Sequence, residues 1–198
     1  MSNHLKLDFR DNVVRKYGIE NPGMVSMKTY ILTAALFVFP AIVTGAQKLP
    51  DIKTVDYVDV NRYMGTWYEV ARITHWFEKG LVNCTANYKL LDNGKVQVEN
   101  TGHRHTPDGK IKISRGKAYV ADKQTNAKLK VTFFWPFYGD YWIIELGKDY
   151  EYAVVGGPGR KYFWVLSRTP DMSPGVYNAI IERAKAQGYD LSKIEKMH

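Results

Sequence analysis

Between residues 65 and 168, apolar and polar residues alternate in eight successive short segments, each followed by a turn signal. A period of two marks a β-strand with one buried face, and hairpin-length connections pair each strand with its neighbours. The alternation is sharpest over 83–91, where Cys84, Ala86, Tyr88 and Leu90 share a face against Asn83, Thr85, Asn87 and Lys89. Asn93-Gly94 is a tight hairpin signal, and Thr106-Pro107-Asp108-Gly109 supplies the next turn. The segments run over 65–74, 83–91, 95–104, 110–121, 127–135, 141–146, 150–156 and 162–168. This order predicts an all-β, up-and-down antiparallel arrangement, and closing it into an eight-stranded barrel removes the exposed edges.

The period then changes. Ser173 precedes Pro174 at a first helical position, and Val176, Tyr177, Ile180, Ile181 and Ala184 follow at helical spacing before Gly188. The expectation is one C-terminal α-helix packed on the outside of the barrel, with the tail to His198 adding a short ninth strand.

The first strand opens on Asn61-Arg62-Tyr63-Met64-Gly65-Thr66-Trp67-Tyr68-Glu69-Val70-Ala71, in which a glycine permits a close backbone entry and Trp67 buries a large ring whose N–H needs a partner. This glycine-x-tryptophan opening resembles that of the lipocalins, in particular their bacterial and apolipoprotein D-like members. Asp149-Tyr150-Glu151-Tyr152-Ala153-Val154-Val155 resembles the second signature of that family, and Leu166-Ser167-Arg168-Thr169-Pro170 the third. The resemblance covers residues 52–190 and implies a lipocalin barrel. It also implies that Arg168 lies over Trp67 at the closed end, where a helical turn capped by Asp59 and running through Tyr63 acts as a plug. The bacterial relatives imply a role in lipid transport, storage or maintenance in the cell envelope.

Residues 1–26 are polar and mixed in charge and read as an upstream extension, with Met27 a second candidate start. Lys28, the 14-residue run Tyr30–Val43 and Thr44-Gly45-Ala46 make an export signal over 27–46, cut after Ala46 to leave a lipocalin domain of 47–198. The alternative is an uncleaved membrane anchor, although the run contains Pro40 and is shorter than the roughly 20 residues that span a bilayer. Bacterial lipocalins often carry an acylated cysteine just after the signal. Here Gln47 stands there and the only cysteine is Cys84, so the expectation is an exported, periplasmic or secreted protein without that anchor. Residues 47–198 hold 23 basic and 17 acidic side chains, and this mild excess suits peripheral contact with an anionic membrane surface. The basic residues are scattered rather than massed, which argues against nucleic acid. A lone cysteine excludes an intrachain disulfide and a cysteine-based zinc site.

The sequence offers little catalytic chemistry. It holds no Gly-x-Ser-x-Gly, P-loop or His-Glu-x-x-His. Gly156-Gly157-Pro158-Gly159-Arg160 joins two strands with no following helix, so it reads as a hairpin and not a phosphate cradle. Cys84 faces inward on the alternation, but no histidine is placed to activate it, and a lone buried cysteine behaves as a small hydrophobe. His103 and His105 share a strand face without a third ligand, so no metal and no cofactor is expected.

What remains is burial. The inward set mixes small residues (Ala71, Ala86, Gly116, Ala118) with rings (Tyr88, Phe133, Trp164), which argues for an open aromatic-lined cavity. The candidate ligand-binding residues are Glu69, Ala71, Tyr88, Val98, Ala118, Phe133, Tyr141 and Trp164, with Glu69, Tyr88 or Tyr141 as hydrogen-bond partners for a head group. Gly65, Trp67 and Arg168 are the structural signature. Trp76 and Phe77, with Trp135 and Phe137 in an aromatic loop over 135–140, are candidates for the mouth. The expected ligand is a fatty acid, lysophospholipid or similar lipid, carried by a monomer or homodimer. The rival readings are an enzyme using Cys84 on a lipid and an interaction module using the aromatic loops.

Overall fold

The computed structural model describes residues 49–197, so the extension and export signal expected over 1–46 lie outside the described residues. A single helical turn, α1 (Val60–Tyr63), leads into eight strands: β1 (Gly65–Ile73), β2 (Leu81–Leu90), β3 (Val96–Arg104), β4 (Ile111–Val120), β5 (Lys128–Phe134), β6 (Phe137–Leu146), β7 (Tyr152–Gly156) and β8 (Phe163–Ser167). A helix, α2 (Pro174–Ala186), and a short strand, β9 (Ile194–Lys196), complete the chain. Each strand pairs antiparallel with the next, β8 returns to β1, and β1 also pairs with β2. The sheet is therefore a closed eight-stranded up-and-down barrel, and β9 pairs with the upper part of β1 beyond its ladder with β2.

Asp59 caps α1 by accepting from the backbone N–H groups of Asn61 and Arg62. Ser173 caps α2 by accepting from the N–H of Val176, with Pro174 at the start of the helix. Two separate cores result. One fills the closed end inside the barrel, with Trp67, Val96, Val98, Leu129 and Ile143. The other lies between the outer wall and α2, joining Val70, Val154, Phe163 and Val165 to Tyr177, Ile180 and Ala184. Val176, expected on the buried stripe of the helix, is exposed.

Two strand readings change. The aromatic stretch expected as a loop over 135–140 is mostly strand: Phe134 pairs with Phe137, so the hairpin turns within Trp135-Pro136 and β6 begins four residues earlier than its alternation suggests. In β1 the register with β8 slips between Glu69 and Ala71. Such a bulge exchanges the faces of every residue beyond it. Ala71 consequently leaves the barrel interior for the core under α2, and Arg72 turns inward. Leu90, at the end of the face it shares with Cys84, is partly exposed.

Candidate functional site

The closed end is built around Trp67. Its indole N–H donates to the carbonyl of Tyr63 at 2.9 Å, and the Arg168 guanidinium lies 3.7 Å from its ring centroid. Arg168 also donates to the carbonyls of Thr66 at 2.9 Å and Arg62 at 2.7 Å, tying the third signature to the first. Gly65 enters β1 with φ +92, a conformation that side chains resist. The Tyr150 hydroxyl accepts from the Asp59 N–H at 2.8 Å, and Arg62 lies 4.2 Å over its ring.

Above this plug is a cavity of about 640 Å³, open at the end that carries the β1–β2, β3–β4, β5–β6 and β7–β8 connections. A volume of this size lies within the roughly 300–1,000 Å³ typical of small-molecule sites. Its apolar wall includes Val96, Val98, Ala118, Leu129, Val131, Val155 and Leu166. The candidates Glu69, Tyr88, Val98, Ala118, Phe133, Tyr141 and Trp164 all line it, while Ala71 does not, for the bulge described above. Trp76, Phe77 and Phe137 line the mouth, and Trp135 stands outside it at the hairpin tip. Gly116, expected to leave space, serves a close approach instead: a Cβ there would lie 2.6 Å from the Thr132 carbonyl oxygen and 2.9 Å from the Phe133 ring.

The floor is a chain of three tyrosines. The hydroxyls of Tyr63 and Tyr141 are 2.8 Å apart, and those of Tyr141 and Tyr88 3.0 Å. Three hydroxyls making two mutual hydrogen bonds leave one proton uncommitted, available to a ligand oxygen. Burial pushes the Tyr88 hydroxyl up to about 12 and those of Tyr63 and Tyr141 well above their usual range, so all three remain protonated donors at neutral pH.

Higher in the wall lies a buried polar group that alternation had placed outside. Arg72 donates to Glu69 at 2.7 Å, to Cys84 Sγ at 3.4 Å, to Thr74 Oγ1 at 3.4 Å, and to the carbonyls of Glu78 at 3.0 Å and Leu81 at 2.8 Å. All five N–H donors of the guanidinium have partners, which fixes the β1–β2 connection to the wall. Glu78 accepts from the Trp164 indole at 3.2 Å, and its other oxygen is buried without a partner. Burial and the nearby Glu69 raise its carboxyl to about 7. The same two causes push the Cys84 thiol up to about 11, despite the donor from Arg72, so its thiolate is scarce at neutral pH. Sequence reasoning placed Tyr63 in the plug but not in the ligand site, and missed Arg72 and Glu78. Only the adjacency of Tyr63 to the opening motif could have pointed to any of them.

His103 and His105 do not share a strand face. β3 ends at Arg104, His105 has φ +64, and its ring packs against Gly80. Among the described residues no three His, Cys, Asp or Glu side chains converge as metal ligands, and no helix is long and apolar enough to cross a membrane.

A family model for the lipocalin-like domain matches residues 58–198. The chain is 43% identical over 165 residues to the outer membrane lipoprotein Blc of Escherichia coli K12, covering 82% of this chain and 92% of that protein. It is 40% identical over 161 residues to the Blc of Vibrio cholerae, covering 80% and 94%. Mouse apolipoprotein D is 34% identical over 158 residues, covering 74% and 80%. Among solved structures, insecticyanin from the tobacco hornworm Manduca sexta superposes with a TM-score of 0.60 at 20% identity, covering 76% of this chain and 85% of that one. Serial strands closed on themselves, a tryptophan plug under an arginine, an outer helix and a family match across the barrel lead to one conclusion: the chain belongs to the lipocalin family.

Proposed function

We propose that the barrel binds and carries a single-chain lipid, a fatty acid or lysophospholipid, in the cell envelope. The observation that carries this reading is the cavity: apolar along its wall, closed by hydroxyls at its floor and open at one end. An acyl chain of about 16 carbons contributes roughly 12 kcal/mol on burial, and ordering and association cost at least about 4, so micromolar or tighter binding is within reach. Glu69, Tyr88, Tyr141, Val98, Ala118, Phe133 and Trp164 form the contact surface for this ligand. Membership of a family whose relatives include Blc and apolipoprotein D supports a small hydrophobic ligand. The raised thiol of Cys84 favours a carrier over a thiol enzyme.

The bacterial relatives are named outer membrane lipoproteins. Those names support envelope association and lend no support to the expectation, drawn from Gln47, that the family's lipoprotein anchor is missing. The domain assignment itself, an export signal over 27–46 and a mature domain from Gln47, is part of the proposal.

The test is native mass spectrometry of protein exported with its own leader and purified without detergent, alongside displacement of a fluorescent fatty acid. A lipid adduct together with displacement supports the carrier. In Ala118→Trp, which projects a ring into the cavity from β4, affinity should fall by at least about tenfold, with a circular dichroism spectrum like that of wild type showing that the barrel still folds. An empty barrel that also fails to displace the probe would refute the reading.

A further inference from the structure

The open end of the barrel carries two features that holding a ligand does not require. The first is a rim of large apolar side chains facing solvent. Trp76 is 86% exposed, Trp135 81%, Phe134 79% and Phe137 78%, and Ile111 and Ile113 stand exposed on the adjoining stretch of β4. Trp76, Phe134 and Phe137 also line the cavity, so this rim and the mouth are one surface. Contiguous exposed aromatic and aliphatic surface of this kind marks an interaction site.

The second feature is charge. The open-end connections and the strand ends beside them carry Lys79, Arg104, Lys110, Lys112, Arg160 and Lys161 against only Glu78 and Asp108. Glu78 is largely buried and holds its proton to about pH 7. At the opposite end, the connections after β2, β4 and β6 and the strand ends beside them carry Asp92, Asp122, Glu145, Asp149 and Glu151 against Lys89, Lys95, Lys123, Lys128 and Lys148, an even balance. The barrel is thus polarised, with its positive end around the aromatic rim.

The wall at this end is also incomplete. β4 pairs with β5 only from Lys117 to Val120, so Ile111–Arg115 lack a ladder to β5, while Gly116 still packs closely against Thr132 and Phe133. Cavity-lining residues stand on both sides of the gap: Ile113 and Arg115 on one, Phe134 and Phe137 on the other.

We infer that the rim is a membrane-docking surface. The aromatic tips enter the interfacial region of an anionic bilayer, the surrounding lysines and arginines meet its head groups, and the gap beside β4 admits an acyl chain sideways from the leaflet. Aromatic rings with flanking cations are the side chains that partition to a bilayer interface. A second copy of the chain is the other apolar partner available. A twofold pairing through this rim would bring the same six cations of each copy together, which favours an anionic surface instead.

The experiment adds the purified chain to phosphatidylcholine vesicles with and without phosphatidylglycerol, and measures co-sedimentation and quenching of tryptophan fluorescence by brominated acyl chains. The variants are Ile111→Ser/Trp135→Ser, two exposed rim residues outside the cavity lining, and separately Lys79→Glu/Lys110→Glu. Binding should favour the anionic vesicles and weaken with salt, and each variant should lower partitioning by about tenfold. Fatty-acid affinity in solution, measured on the same samples, should be unchanged, since none of these side chains lines the cavity. Unchanged partitioning in both variants would overturn the inference. So would a wild-type dimer in sedimentation velocity that the serine variant dissociates without any change in vesicle binding. Failure to bind fatty acid while docking persists would refute the carrier reading alone.

Discussion

Arg168→Ala is the most direct test of how the closed end is held. The substitution removes a guanidinium 3.7 Å from the Trp67 centroid and two hydrogen bonds, to Thr66 O at 2.9 Å and Arg62 O at 2.7 Å. A cation–π contact on a buried indole is worth about 0.5–2 kcal/mol. Each charge-assisted hydrogen bond would add about 1.5–3 kcal/mol if dry, but both carbonyls lie where water can replace the lost donor, so about 0.5–1 each is a fairer value. The expected loss is about 1.5–4 kcal/mol. For a domain of this size it lowers Tm by roughly 3–16 °C, readable by thermal denaturation followed by circular dichroism. Arg168→Lys should recover only part of the loss, because an ammonium keeps the charge without the planar fork that reaches two carbonyls and the ring at once. Fatty-acid affinity should stay within a few-fold of wild type, since the plug lies beneath the tyrosine floor. A loss below about 0.5 kcal/mol would refute the argument that this arginine clamps the first signature to the third.

The Glu78 carboxyl gives a pH signature. It holds its proton to about 7 in the folded barrel against 4.5 ordinarily, so between those values the native state binds more protons than the unfolded one. Its contribution to stability should therefore be fully present below the ordinary value and be lost as pH rises through about 7, and Glu78→Gln should remove that slope from denaturant midpoints across the window. Cys84 should react slowly with thiol reagents in the native state, because a thiol at about 11 leaves roughly one thiolate in 10⁴ at pH 7. Cys84→Ala should leave fatty-acid displacement unchanged; loss of a catalytic turnover in that variant would revive the enzyme reading.

The parts of the barrel readable from sequence are those set by local rules. Period-two alternation and the Asn-Gly and Pro-Asp-Gly turns mark each strand and its connection, because the pleat and hairpin geometry involve only residues near one another in the chain. The helix after Ser173 was legible for the same reason, its cap and proline being local signals. The family words carried the pairing of Trp67 with Arg168.

Tertiary structure decided what depends on a partner strand. The bulge at Val70 exists because β8 offers one residue against two of β1, and nothing in the local alternation of β1 announces it. That single slip moved Ala71 out of the cavity and turned Arg72 inward to hold Glu69, Cys84 and the β1–β2 connection. The extension of β6 back to Phe137 likewise depends on Phe134 across the hairpin, and it converts a supposed loop into the exposed arm of the rim. The meeting of Tyr63, Tyr88 and Tyr141 required closure of the barrel, since these residues lie on three elements far apart in sequence. Sequence by itself determined the strands, their order and the plug. Only the closed structure decided which side chains face the ligand, because facing is a property of register between strands and not of any one of them.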